Sequence, residues 1–441
     1  MNDTPRGQRL HIALFGRRNA GKSSLINALT NQETAIVSDV PGTTTDPVVK
    51  AMEILPLGPV TIIDTAGIDD AGELGSLRVK RSFAVLQKTD LALLVVDPGQ
   101  GYGSYEEGVV ARAAAQDVPV VVVVNKTDLY PEVTRNGFAA AGKPFVFVSA
   151  LKRTGIDALK QSIVRYAPKD WTMPTIVGDL IAPGEFVVLV IPVDKAAPKG
   201  RLILPQQQVI RDVIDHDAAA LMVKERELRH VLANLGTKPR LVVTDASAYL
   251  KAAADTPEDV LFTSFSVLFA RYKGDLATLV EGVRAVRELR PGDRVLVAEA
   301  CTHHPIEDDI GRVKIPRWLR QTVGADLRFD MVAGSGPLPE DLGRYRLIVH
   351  CGACMLNRKE MLSRIIQARR AGVPIVNYGV MLAHIHGVLY RALSPFPAVR
   401  ALFTPADDME AEVRLLRQKR RLNPGGGYGA GRRGAGEAGC R

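Results

Sequence analysis

The sequence predicts an α/β protein of three units in series: a P-loop domain, a small α/β unit, and a second α/β unit of Rossmann-like pattern. Three observations predict it. Apolar runs of strand length alternate with helical patterns from residue 10 to about residue 400. A G-x-x-x-x-G-K-S run stands between the first strand and the first helix. Three of the four cysteines gather behind strands of the third unit. A chain of 441 residues has room for about three domains.

In the first unit, residues 1–170, His11 to Phe15 is a short apolar strand and Lys22 to Leu29 opens a helix. Val60 to Ile63, Leu91 to Val96, Val118 to Val124 and Pro144 to Val148 are further strands, with helices over Glu106 to Ala115 and Ile156 to Tyr166. This alternation predicts a parallel sheet covered by helices on both faces. Lys169 to Pro183 reads as a linker. In the second unit, residues 175–270, Phe186 to Pro192, Leu241 to Thr244 and Val260 to Thr263 read as strands, and Gln206 to His216 and Val223 to Leu235 as helices. It carries no charge cluster and no site residues, so it reads as an interaction or dimerisation module. In the third unit, residues 271–405, Arg294 to Ala298, Leu347 to His350 and Pro374 to Val376 are strands, and Leu276 to Leu289 and Arg358 to Arg370 are helices. Residues 423–441 are rich in Gly and Arg, cannot bury a core, and are expected to be disordered.

Composition bounds the function. With 46% hydrophobic and 24% charged residues the chain is ordinary globular material. The net charge of +9 comes mostly from residues 413–441, which hold eight basic residues and one acid. The folded part is nearly neutral, which argues against nucleic acid as a partner. No apolar run approaches the ~18 residues that span a bilayer, and Met1 to Arg9 is polar, so a cytoplasmic protein with no membrane contact is expected. Four cysteines are too few for a disulfide framework at this length.

The run Gly16-Arg17-Arg18-Asn19-Ala20-Gly21-Lys22-Ser23, followed by Ser24, has the glycines that let backbone N–H groups wrap phosphates. Lys22 is placed to reach the β- and γ-phosphates, and Ser23 to ligate Mg²⁺. Gly42-Thr43-Thr44-Thr45 follows the first helix, with Thr44 as the second Mg²⁺ ligand. In Asp64-Thr65-Ala66-Gly67, Asp64 is expected to hold Mg²⁺ through water and the Gly67 N–H to face the γ-phosphate. In Asn125-Lys126-Thr127-Asp128, Asp128 accepts from the guanine N1–H and exocyclic amine, a pattern that adenine lacks, and Asn125 is free to bond the opposite base edge. Ser149-Ala150-Leu151 supports the guanine oxygen through backbone N–H. Lys22, Ser23, Thr44, Asp64 and Gly67 are therefore the candidate catalytic set for attack of water on the γ-phosphate of GTP.

Residues 10 to 167 resemble the translation-factor-like GTPases of the Era, Der and MnmE type. Ile68 follows the D-x-x-G motif where Ras-like proteins carry a water-orienting Gln, so slow intrinsic hydrolysis is expected. The resemblance to MnmE implies that Asn19 helps hold a stimulatory K⁺ against the phosphates.

The third unit carries Cys301-Thr302-His303 and, later, His350-Cys351-Gly352-Ala353-Cys354. Both groups follow strands, and the carboxyl ends of parallel strands converge on one edge. Three thiolates with nearby imidazoles suit zinc or an iron–sulfur cluster, and spacing alone leaves both open. His304, His384 and His386 are lesser candidates, and Cys440 in the tail has no assigned role.

A C-x-H … H-C-x-x-C motif behind an Era-like GTPase and a middle domain resembles the HydF family, the GTPase maturation factors of FeFe-hydrogenase. The resemblance implies a 4Fe-4S cluster on Cys301, Cys351 and Cys354, with His303 or His350 as an exchangeable fourth ligand. It implies that the middle domain pairs two chains in a homodimer. It further implies a scaffold that receives a di-iron precursor with HydE-like and HydG-like radical-SAM maturases and transfers it to the apo-hydrogenase. The alternative is an RNA-directed GTPase, for ribosome assembly or tRNA modification, with a structural zinc site.

Overall fold

The computed structural model describes residues 5–30, 48–65, 84–130, 132, 142–168, 174–192, 202–300, 310–334, 338–405 and 407–408. The first domain runs β1 (Leu10–Phe15), α1 (Lys22–Thr30), β2 (Val48–Ile54), β3 (Gly58–Asp64), β4 (Leu91–Val96), α2 (Ser104–Ala114), β5 (Val120–Val124), β6 (Phe145–Phe147) and α3 (Ile156–Tyr166). The sheet order is β2-β3-β1-β4-β5-β6. β1, β4 and β5 are buried along their whole length, which is why they read as unbroken apolar runs. Two apolar cores, one on each face, hold the helices against the sheet.

An all-parallel sheet was the expectation, and β2 corrects it. β2 pairs antiparallel with β3, Val48 opposite Asp64 and Ile54 opposite Gly58. Only Leu55 to Leu57 join them, and so short a connection cannot make the crossover that parallel pairing needs. β2 is an edge strand with Lys50 and Glu53 in it, so it lacks the apolar run that marks the inner strands.

The second domain runs β7 (Phe186–Val190), α4 (Leu204–Asp215), β8 (Ala219–Val223), α5 (Leu228–Asn234), β9 (Leu241–Thr244), α6 (Tyr249–Asp255), β10 (Leu261–Ser264) and α7 (Phe265–Lys273). Its four strands are parallel, in the order β10-β9-β7-β8. The helix expected over Val223 to Leu235 begins only at Leu228. Residues 219–223 pair with β7, and the charged run Lys224 to Glu227, helical by propensity, is a turn between strand and helix.

The third domain runs α8 (Leu276–Glu281), α9 (Arg284–Glu288), β11 (Arg294–Glu299), α10 (Ile315–Val323), β12 (Arg328–Ala333), β13 (Leu347–His350), α11 (Arg358–Arg370), β14 (Ile375–Asn377), α12 (Tyr378–Ile385), α13 (Leu389–Ala392) and α14 (Pro397–Arg400). The sheet is parallel, in the order β12-β11-β13-β14. The single helix expected over Leu276 to Leu289 is two helices. The chain bends at Gly282, which lies against β14 so closely that a Cβ there would come within 2.0 Å of the Ile375 carbonyl oxygen.

The second and third domains share one continuous apolar core, from Ile176 to Phe403. Polar ties reinforce it: Tyr249 OH donates to Gly379 O at 3.1 Å, and Asn377 Nδ2 to Ser266 O at 3.0 Å. The first domain meets this body through a few polar contacts near Gln8, Lys88 and Asn357. Among the described residues, no helix is long and apolar enough to cross a membrane.

Candidate functional site

The nucleotide site is assembled at the carboxyl edge of the first sheet. β1 ends at Phe15, and Gly16 then passes so close to β4 that a Cβ would lie 2.3 Å from Val95 O. The loop turns through Asn19 at φ 59° and Gly21 at φ 90° before α1 starts at Lys22. The buried Lys22 ammonium donates to Gly16 O and Arg17 O, both at 2.8 Å. It therefore braces the loop from inside, with its charge where phosphates would lie. Ser23 Oγ donates to Asp64 Oδ2 at 2.7 Å, so the two expected Mg²⁺-site residues are adjacent. Burial raises the Asp64 carboxyl above its ordinary range, against the Ser23 hydrogen bond and the Lys22 charge. Thr44 and Gly67, like Ile68, lie outside the described residues.

The base-recognition motifs lie beside this loop. Asp128 accepts from Ser149 Oγ at 2.6 Å, and Lys126 Nζ pairs with Asp97 Oδ2 at 2.7 Å. Asn125, expected to bond the base edge, also has a task within the protein. Its Nδ2 donates to Ala20 O and its Oδ1 accepts from Ala150 N, both at 3.0 Å, which leaves the second Nδ2 hydrogen for a base. It ties the phosphate loop to the Ser149-Ala150 turn. Two supports were missed from sequence. Arg17 makes a two-pronged pair with the buried Glu106 at 2.9 Å, and Asp97 orients Lys126. Asp97 follows the apolar strand β4 directly, a position that could have flagged it.

The second site is the turn after β13. Cys351 Sγ accepts from Ala300 N at 3.0 Å and from Ala353 N at 3.4 Å. The residue immediately before Cys301 thus lies against the Cys351 thiol, as converging strand ends require. Cys354 is half-buried. Burial first, and then the neighbouring Cys351, push its thiol up to about 11, against the Lys273 charge. Cys301, His303 and His304 lie outside the described residues, as does Cys440. Among the described residues, no three His, Cys, Asp or Glu side chains gather as a metal set.

His350 does not offer the free nitrogen expected of a cluster ligand. Its ring is fully buried, with Nδ1 2.8 Å from Cys351 O and Nε2 2.9 Å from Arg364 Nη1. A carbonyl can only accept, so Nδ1 carries the hydrogen and Nε2 accepts from the guanidinium. The one basic lone pair of this tautomer, on Nε2, is thus directed at Arg364 rather than at a metal. His384 packs on Phe403, with ring centroids 5.7 Å apart, and His386 on Trp318 at 6.0 Å. Lys273, also missed from sequence, is buried under the thiol turn and donates to Ala353 O, Cys354 O and Leu356 O at 3.2, 3.0 and 2.6 Å.

Three family models match the chain. Residues 11–126 match the 50S ribosome-binding GTPase model, residues 176–274 the hydrogen maturase F dimerization domain, and residues 277–395 the hydrogen maturase F tetramerization domain. The last description names assembly beyond the homodimer expected from sequence. The two hydrogen maturase F models together speak for an oligomer. The tRNA modification GTPase MnmE of Bacillus subtilis is 38% identical over 157 residues, covering 35% of this chain and 34% of that protein. MnmE of Moorella thermoacetica is 41% identical over 162 residues, covering 35% and 34%. The match thus spans about a third of the length of these relatives. Among solved structures, Aquifex aeolicus Era bound to GDP and aluminium fluoride aligns with TM-score 0.33 and 19% identity, covering 51% of this chain and 98% of that one. The chain is a P-loop GTPase domain followed in order by these dimerization and tetramerization domains, and it belongs to the hydrogen maturase F family of maturation GTPases.

Proposed function

We propose that the protein is a GTP-hydrolysing scaffold that holds a 4Fe-4S cluster on Cys301, Cys351 and Cys354. In this reading it carries a di-iron precursor of the hydrogenase active site to apo FeFe-hydrogenase. The observation that carries the reading is the thiol turn itself. Cys351 Sγ receives two backbone N–H groups at the carboxyl edge of a parallel sheet, with Cys354 on the same turn and Cys301 next to one of the N–H donors. Cysteine thiolates are the ordinary ligands of such a cluster. When bound, it would supply an iron with an exchangeable ligand at which the di-iron cargo attaches and leaves. With both His350 nitrogens engaged, His303 or a ligand from outside the chain fills that position.

In the nucleotide site, Lys22 neutralises the β- and γ-phosphate oxygens, and the loop N–H groups orient them. Ser23 and Thr44 would hold Mg²⁺, which would offset charge developing on the phosphates, and Asp64 would orient water beside it. Asp128 selects guanine, and Asn125 keeps the base and phosphate loops in register. Hydrolysis is slow because Ile68 has no polar atom to orient water. Asn19 would help hold K⁺, which would raise the rate, so replacing K⁺ by Na⁺ is expected to lower it. The oligomer works in the cytoplasm, where thiols stay reduced, with HydE-like and HydG-like radical-SAM maturases as partners.

The test is anaerobic reconstitution with iron and sulfide, followed by metal analysis and EPR of the reduced protein. About four irons per chain and a signal abolished by Cys351→Ala support the scaffold. One tightly held zinc and no cluster signal refute it and favour an RNA-directed GTPase.

A further inference from the structure

The GTPase domain touches the other two domains beside the thiol turn, at the amino edge of its sheet and away from the nucleotide. Asn357 Nδ2 donates to Lys88 O at 2.9 Å. The Oδ1 of the same side chain accepts from Glu360 N at 2.9 Å, capping α11. Lys273 gathers the Ala353, Cys354 and Leu356 carbonyls around one buried ammonium. Next to it, Gln8 Nε2 donates to Tyr272 OH at 2.9 Å. Gly7 is seated so closely that a Cβ would lie 2.4 Å from Leu356 O and 2.6 Å from Lys273 Nζ.

Two features make this junction more than packing. Lys88 belongs to the stretch that joins the D-x-x-G motif at Asp64 to β4, and in GTPases the chain after that motif responds to the γ-phosphate. Its far end is pinned: Asp90 N donates to His11 O, and Asp90 Oδ2 accepts from His11 N, both at 2.8 Å. A displacement of this stretch would therefore pivot about Asp90, and Lys88, two residues before that anchor, is where it would meet the thiol turn. There it meets a side chain three residues past Cys354, at the start of a 13-residue helix. The Lys273 bonds tie residues 353, 354 and 356 together, so a pull at Asn357 moves the turn as one body.

We propose that the Lys88–Asn357 hydrogen bond couples the nucleotide state to the Cys351–Cys354 turn, with Lys273 as the positioning residue that holds the turn together. The inference deepens the scaffold reading and rests on it for its purpose. Its test does not need the cluster. In the metal-free full-length chain, the alkylation rate of Cys354 by iodoacetamide is followed by mass spectrometry with GDP and with a non-hydrolysable GTP analogue. The wild-type rates are expected to differ by about fivefold or more between the two states, the usual lower range of allosteric coupling. Asn357→Asp keeps the capping oxygen and removes the donor to Lys88. It is expected to bring the ratio to about one, with GTP turnover unchanged. Asn357→Ser, which caps through its hydroxyl and is too short for Lys88, is expected to do the same. Lys273→Met, which also removes a charge favouring the Cys354 thiolate, is expected to bring the ratio between the two states toward one. Equal wild-type rates, or an undiminished ratio in both Asn357 variants, overturn the coupling. An undiminished ratio in Lys273→Met overturns the positioning role. Iron uptake by the same preparations is scored separately: a nucleotide-dependent ratio in a chain that takes up no iron refutes the cluster and leaves the coupling standing.

Discussion

The hydroxyl of Ser23 donates to Asp64 Oδ2 across 2.7 Å, joining the first turn of α1 to the last residue of β3. Two residues 41 positions apart in the chain thus meet where the proposed Mg²⁺ would bind. Ser23→Ala removes the proposed ligand and leaves the raised Asp64 carboxyl without the Ser23 hydrogen bond. GTP turnover at fixed Mg²⁺ is expected to fall by roughly 100-fold, the scale of one lost transition-state contact. Raising Mg²⁺ should recover little of it, which steady-state phosphate release will show.

Asn125 spans the phosphate loop and the Ser149-Ala150 turn. Asn125→Ala leaves Ala20 O and Ala150 N without partners in a buried site, at about 1–3 kcal/mol for each group. GDP affinity measured by calorimetry is expected to fall by roughly tenfold or more. Unchanged affinity would show that the brace is dispensable.

Asp128 is held by Ser149 Oγ at 2.6 Å, which aims its carboxylate. Asp128→Asn replaces an acceptor of two guanine N–H groups with a mixed donor and acceptor. GTP binding is expected to weaken by about 10³-fold or more, as when a site loses its polar match. Xanthosine triphosphate, which presents an oxygen where guanine has its amine, is expected to bind the variant better than GTP. Competition against a fluorescent GDP measures both.

His384 is buried between Phe403 and Arg287, and burial lowers its pKa from 6.5 to about 3. The folded state therefore binds fewer protons than the unfolded chain between these values, so this group favours folding above pH 6.5. That contribution is lost as pH falls toward 3, by about 1.4 kcal/mol per pH unit. His384→Leu is expected to flatten the acid side of the stability profile and to leave it nearly unchanged above pH 7, as read by urea unfolding across the range.

Gly282 separates α8 from α9 beneath β14. Gly282→Ala places a methyl 2.0 Å from Ile375 O and must displace backbone. A loss of about 1–3 kcal/mol in unfolding free energy is expected. An unshifted urea midpoint would show that the helix pair can slide.

The elements most legible in the sequence were strands buried throughout and helices with one apolar stripe. β4, β9, β13, α3 and α11 have the bounds their apolar runs or helical spacing predict. The half-exposed pieces were not legible: β2 at one sheet edge, and β8, whose residues 219–223 alternate too weakly to stand out. Of the candidate sites, the phosphate loop and base motifs could be read because each is contiguous, and its chemistry depends on residues a few positions apart.

What the sequence determined by itself was therefore the kind of protein: three α/β units, a guanine-nucleotide site in the first, and thiols at strand ends in the third. Periodicity states which face of an element is buried, and a contiguous motif carries its own geometry. What only the tertiary structure decided was who covers those faces and who uses each polar group. It put the second and third domains on one core, folded β2 back on β3, and engaged both nitrogens of His350. It also brought Lys273 under the thiol turn and Asn357 to Lys88. The last two pairings join residues 83 and 269 positions apart. Local pattern has no term for such pairs; packing and the need to satisfy buried polar atoms choose them.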